Sequence, residues 1–267
     1  MASKLISTKQ LYEAMQARKN FYILDTTFTV PESTPLNNHF KNRLPTAKFF
    51  DLNEISDKKS GFSVTMPSQE YFIECMRRLR IKNDTTPIVL YDFLNFSSAR
   101  AWFMFKVFGR SNVHILDGGL QKWIKENFPY DTGIYELPAE RDTGDGYSYV
   151  KNKNLVKSYD DMIFLIQDKS IQILDARPPN MFKEGHIQKA INSPFTQVFQ
   201  EDKTYKKPEE LRKHFSKIGL DLVEPVINTC KIGVSACVNL FALELANKET
   251  FLYDGSYEEW SKRSKAS

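Results

Sequence analysis

Cys230 closes an apolar run, Val226-Ile227-Asn228-Thr229-Cys230, and is followed at once by Lys231-Ile232-Gly233-Val234-Ser235-Ala236, which reads as a tight loop entering a helix. A thiol in that place faces the free backbone N–H groups of a loop and of a helix N-terminus. Those donors and the helix dipole stabilise it as an anion. The ammonium of Lys231 adds a positive charge beside it. Both effects favour the thiolate, the form that attacks electrophiles.

The other titratable residues point to no second chemistry. Cys75, Cys230 and Cys237 make three cysteines at spacings that match neither a disulfide framework nor a zinc site. A reducing compartment is the natural reading. The four histidines, His39, His114, His186 and His214, are far apart and form no paired-ligand pattern, so neither a metal nor another cofactor is expected. With 41% hydrophobic and 26% charged residues and no apolar stretch of the roughly 18 needed to span a bilayer, the chain reads as soluble and globular. Its net charge of +4 comes from scattered lysines rather than a basic stripe, which argues against a nucleic-acid partner and for small anionic ones. The first twenty residues carry an amphipathic helix pattern after Ser7-Thr8 and no cleavable leader is expected there.

A length of 267 residues suggests two domains, and the sequence repeats one plan twice. Ile23-Leu24-Asp25 is matched by Ile173-Leu174-Asp175, Pro87-Ile88-Val89-Leu90-Tyr91-Asp92 by Pro225-Val226-Ile227-Asn228-Thr229-Cys230, and Leu116-Asp117-Gly118-Gly119 by Tyr253-Asp254-Gly255-Ser256, with Trp123 and Trp260 following. Short β-branched runs alternate with longer amphipathic stretches in each half. That pattern predicts an α/β fold, with two tandem domains that are each a parallel sheet flanked by helices. Helices are expected over 68–79, 97–107 and 235–246, each opening near a serine able to cap it. The turn-rich stretch 132–149, with Gly133, Pro138, Gly144 and Gly146, is expected to link a domain over 1–131 to one over 150–267. Asp92 stands where the second half has Cys230. A carboxylate cannot replace a thiolate as a sulfur nucleophile, so one active site is expected, in the second half, with the first domain catalytically inactive.

The segments LDAR at 174–177, GHI and AINSPF between 185 and 195, CKIGVSA at 230–236 and YDGSYEEW at 253–260 resemble the two-domain rhodanese-like sulfurtransferases, the thiosulfate and 3-mercaptopyruvate enzymes among them. LPTAKFFD at 44–51, SSARAWFMF at 97–105 and LDGG extend the resemblance to the first half. It implies a ping-pong sulfurtransferase in which Cys230 takes a sulfane sulfur from an anionic donor, holds it as a persulfide and passes it to a thiol or cyanide. The family occurs in mitochondria and in the cytosol. On this reading Lys231 and the backbone of Ile232, Gly233, Val234 and Ser235 bind the substrate, Gly233 permits the turn, and the Ser235 hydroxyl adds a donor.

The loop also departs from the family's patterns. CKIGVS has one base, Lys231, followed by apolar Ile232, and the Arg that the family places before a downstream Phe is here Met181, before Phe182. Thr65 stands where mercaptopyruvate enzymes carry a His before Met-Leu-Pro. These losses keep a second reading open, a rhodanese-fold structural subunit of a larger assembly with weak or no turnover. Cysteine phosphatases of related fold need Arg at the sixth position after the cysteine, and Ala236 stands there. Cys75, on a helix face with Phe72, Met76 and Leu79, and Cys237, just inside a helix, read as core. Arg177 is expected to pair with Asp175, and His186 to be structural.

Overall fold

The computed structural model describes residues 3–28, 34–134 and 146–264. Pro138 and Gly144 of the expected linker lie outside them. The described chain falls into two units, one made of Met1–Ile55, Pro67–Lys151 and Asp202–Thr204, the other of Ser56–Met66, Asn152–Glu201 and Tyr205–Ser267. Gly146–Tyr149, the described end of the expected linker, packs within unit 1: the Asn83 N–H donates to Gly146 O at 2.6 Å and the Tyr149 hydroxyl to Ile81 O at 2.8 Å.

In unit 1, five strands alternate with helices: β1 Leu5–Ile6, α1 Thr8–Gln16, β2 Tyr22–Asp25, α2 Pro35–Lys41, β3 Lys48–Phe49, α3 Gln69–Leu79, β4 Ile88–Tyr91, α4 Ser98–Val107, β5 Val113–Leu116 and α5 Gly119–Lys125. The strands pair in the order β1-β5-β4-β2-β3, all parallel. Every residue of β4 is buried, as a strand covered on both faces requires. Val89 and Tyr91 pack with Leu11 of α1 and with Leu120 and Trp123 of α5, while α4 lies against β4 and β5.

Unit 2 repeats the plan with β6 Val156–Lys157, α6 Tyr159–Leu165, β7 Gln172–Asp175, α7 Pro179–Glu184, β8 Ala190–Asn192, α8 Pro208–Lys217, β9 Val226–Thr229, α9 Val234–Leu245, β10 Phe251–Tyr253 and α10 Ser256–Arg263. Short 3-10 turns precede β6 and follow β8. The strand order is β6-β10-β9-β7-β8, again parallel, so each sequence match found between the halves falls on the same place in its sheet. Tyr159, Met162, Ile173, Ile227 and Tyr253 build one core layer. On α9, ten residues are buried, from Val234 and Ala236 to Glu244, which marks a helix enclosed on nearly all sides.

Two of the three expected serine caps are absent. Ser68 accepts the Tyr71 N–H at 3.2 Å and opens α3 as expected. Ser97 makes no side-chain cap at α4, where its backbone is already helical at φ −85° and ψ −17° rather than extended, and the carboxylate of Asp92 takes the Ser98 N–H at 2.8 Å. The helix expected over 235–246 begins at Val234 instead, where Gly233, at φ +80°, turns the chain before Ser235 is reached. At that φ a residue with no Cβ is cheaper than serine. Among the described residues no helix is long and apolar enough to cross a membrane.

Candidate active site

Cys230 directly follows β9, the central strand of its sheet, and precedes α9, so its thiol lies beyond the carboxyl end of the sheet where ligands of open α/β folds bind. The Gly233 N–H points at its Sγ, 3.1 Å away. This is the one amide of the loop that reaches the sulfur among the described residues. The left-handed turn at Gly233 brings it there, and the N-terminus of α9 begins at the next residue. The residue as a whole is 1% exposed, so the amide acts on the sulfur in a water-poor setting where such a contact is strong.

Lys231 is exposed, and its ammonium has no hydrogen-bond or ion-pair partner among the described residues. It is therefore available to an anion. Ile232 is half-buried, Val234 is buried, and half-buried Ser235 sits in the first turn of α9. Cys237, one turn along α9, is fully buried and donates its S–H to Gly233 O at 3.3 Å.

Behind the loop, the turn after β10 holds its backbone. Tyr257 N–H donates to Cys230 O and Glu258 N–H to Lys231 O, both at 2.9 Å, and the Cys230 N–H donates to Ser256 Oγ at 3.2 Å. The same turn grips Ser56–Met66 within unit 2: Asp254 accepts the Met66 N–H at 2.6 Å and Glu258 the Ser63 N–H at 2.9 Å, with the Lys262 ammonium 5.3 Å from the centre of the Phe62 ring. Thr65 is 7% exposed, with its hydroxyl spent on Ser60 Oγ at 2.7 Å.

Arg177 is committed to the fold. Its Nη2 lies 2.6 Å from Asp175 Oδ2 and its Nε 3.0 Å from both carboxylate oxygens, while Nη2 also donates to Gly185 O at 2.8 Å and the group covers the Tyr257 ring at 4.0 Å. A guanidinium with its donors used in this way, 3% exposed, braces the end of β7 against the turn after α7. His186 is exposed, stacks on Phe182 at 3.9 Å and bonds Phe182 O through Nδ1 at 2.9 Å.

The corresponding loop of unit 1 is filled by its own side chain. Asp92 accepts the N–H groups of Leu94, Phe96 and Ser98 at 2.8 to 2.9 Å. Burial pushes its carboxyl up, against the pull of these amides. Cys75 is 3% exposed, and burial likewise pushes its thiol up although Arg78 lies 3.3 Å from the sulfur. Among the described residues no cluster of His, Cys, Asp and Glu could hold a metal ion.

The model of the rhodanese-like domain matches residues 7–126 and again 158–263. The chain belongs to the rhodanese-like family. It is 34% identical to thiosulfate sulfurtransferase of Gallus gallus over 276 residues, which cover 97% of this chain and 93% of that protein. Among solved structures it resembles the 3-mercaptopyruvate sulfotransferase of Escherichia coli, at 30% identity and a TM-score of 0.86 with 96% and 99% of the two chains covered. It also resembles a sub-stoichiometric sulfur transferase subunit of yeast mitochondrial complex I, at 29% identity and 0.82 with 97% and 96% covered.

The sequence signalled the cysteine and its loop but assigned no role to Ser256, Tyr257 or Glu258. The signal was in the repeat: Tyr253-Asp254-Gly255-Ser256 keeps the Asp-Gly of Leu116-Asp117-Gly118-Gly119 and differs at its first and last residues.

Proposed function

We propose that Cys230 is the sulfur carrier of a sulfurtransferase whose donor is a small sulfur-bearing anion of the thiosulfate or 3-mercaptopyruvate kind. The protein is a sulfurtransferase of the rhodanese-like family, and the observation that carries the residue assignment is the Gly233 N–H aimed at Cys230 Sγ from the mouth of α9. With thiosulfate, the Cys230 thiolate attacks the outer sulfur, an S–S bond forms to Cys230, the S–S bond of the donor breaks, and sulfite leaves with the electron pair. A thiolate or cyanide then attacks the outer persulfide sulfur and leaves as a persulfide or thiocyanate, returning Cys230 to the thiolate. No net oxidant is needed. Lys231 attracts the donor, and the Gly233 amide stabilises the charge on sulfur throughout. Unit 1, with Asp92 in the equivalent loop, contributes no second nucleophile. A mitochondrial or cytoplasmic setting suits the free, buried cysteines.

A second reading, a structural subunit with weak turnover, is favoured by the pocket's missing cations: Arg177 is spent on Asp175 and residue 181 is Met. The complex I subunit it resembles shows that this fold occurs within a larger assembly. One experiment separates the two. The folded protein is incubated with thiosulfate, then with 3-mercaptopyruvate, and weighed intact: one added sulfur, absent in Cys230→Ser and discharged by cyanide, is expected. No adduct with either donor selects the structural reading.

A further inference from the structure

Ser256, the first residue of α10, holds a conformation that a residue with a Cβ adopts at a cost: its φ is +52°. It is 0% exposed, and its hydroxyl bridges two backbone groups. The proton goes to Tyr253 O at 3.0 Å, which leaves an oxygen lone pair for the Cys230 N–H at 3.2 Å. From the other side, the Tyr257 N–H takes Cys230 O at 2.9 Å. Both peptide groups that flank the Cys230 Cα are thereby fixed, and with them the direction in which its Cβ and Sγ leave the chain.

Unit 1 has the corresponding turn without this device, entered through Gly118 at φ +92° where unit 2 has Gly255 at φ −66°. There the Leu120 N–H takes Asp92 O at 2.9 Å, just as Tyr257 takes Cys230 O, which makes Gly119 the counterpart of Ser256. Gly119 has φ +63°, and a Cβ on it would lie 2.6 Å from Asp92 O. The turn therefore needs no hydroxyl to form, and glycine suits its conformation better. A serine appears in the unit whose loop carries a thiol, at the position that bonds the amide of that thiol's own residue.

We propose that Ser256 is a positioning residue for Cys230, its hydroxyl locking the Cys230 peptide so that Sγ stays on the Gly233 N–H. The proposal rests on reading Cys230 as the reactive thiol. Without the hydroxyl, the Cys230 N–H loses a buried acceptor, the loop relaxes, and the sulfur spends less time on the amide that favours its anion.

The test compares wild type with Ser256→Gly and Ser256→Ala. Glycine relieves the strained φ that alanine keeps, so Ser256→Gly should melt closer to the wild-type temperature than Ser256→Ala, while both variants remove the hydroxyl. Alkylation of Cys230 by iodoacetamide, read by peptide mapping across pH, should be about tenfold slower at neutral pH in both variants and match wild type at high pH, where every thiol is ionised. A merely structural defect would not give that split. A wild-type pH profile in Ser256→Gly overturns the proposal. If the wild-type thiol is itself inert, the reading of Cys230 as nucleophile fails, and exchange of the Cys230 amide decides the positioning role: exchange about tenfold faster in Ser256→Gly upholds it, and unchanged exchange overturns it.

Discussion

Two basic side chains near Cys230 have opposite fates, and the difference is in what they touch. Arg177 spends its fork on Asp175 and on the carbonyls of Gly185 and Met181, so removing the side chain leaves a buried carboxylate with no counter-charge and only the backbone N–H of residue 177. Arg177→Ala should cost about 3–5 kcal/mol in urea unfolding, and Arg177→Lys should recover only part of that, since a point charge cannot fill a fork. A side chain that only bound substrate would leave the unfolding curve in place. Lys231 is the converse case, exposed and with no partner among the described residues. Lys231→Ala should leave stability within about 0.5 kcal/mol of wild type and raise KM for an anionic donor several-fold, with a weaker dependence of kcat/KM on salt. An unchanged KM would remove Lys231 from the proposed site.

At the scale of elements, the ends of the helices show how each half uses its loop. At α3 a serine caps in the ordinary way, and Ser68→Ala should cost about 1 kcal/mol. At α4 the nominal cap Ser97 is idle, and Asp92 takes the amides of Leu94, Phe96 and Ser98. Thermal unfolding should therefore show little effect of Ser97→Ala and a loss of more than about 2 kcal/mol for Asp92→Ala, which strands three amides at a buried site. Equal effects of the two substitutions would contradict this account. At α9 the role passes to Gly233, whose backbone points at sulfur. The runs of β2, β4, β7 and β9 were legible because strands covered on both faces are rich in consecutive apolar residues. The two-residue strands β1, β3 and β6 were not, since so short a pairing leaves no period to read.

Across the whole molecule, charge pairs respond to acid according to how their carboxylates are held. In unit 1 the hydrogen bond from Lys122, helped by Thr204, brings the Asp202 carboxyl down to about 2. A carboxyl depressed on folding contributes stability above its unfolded value, near 4, and that contribution is lost as pH falls through about 2. Asp202→Asn should therefore lose less stability than wild type between pH about 4 and about 2, by a margin that shrinks with added salt because the pair is 23% and 44% exposed. The duplicated plan, the α/β class and the one cysteine set before a glycine turn were all determined by the sequence, because strand burial, helix entry and thiol chemistry are written in residue types and local spacing. What only the tertiary structure decided is which distant groups meet that loop: Ser256 and Tyr257, from the turn after β10, hold the Cys230 backbone. Neither could be read along the chain. Hydrogen bonds between segments far apart in sequence exist only once the sheet has fixed the order of its strands, and no local pattern carries their partners.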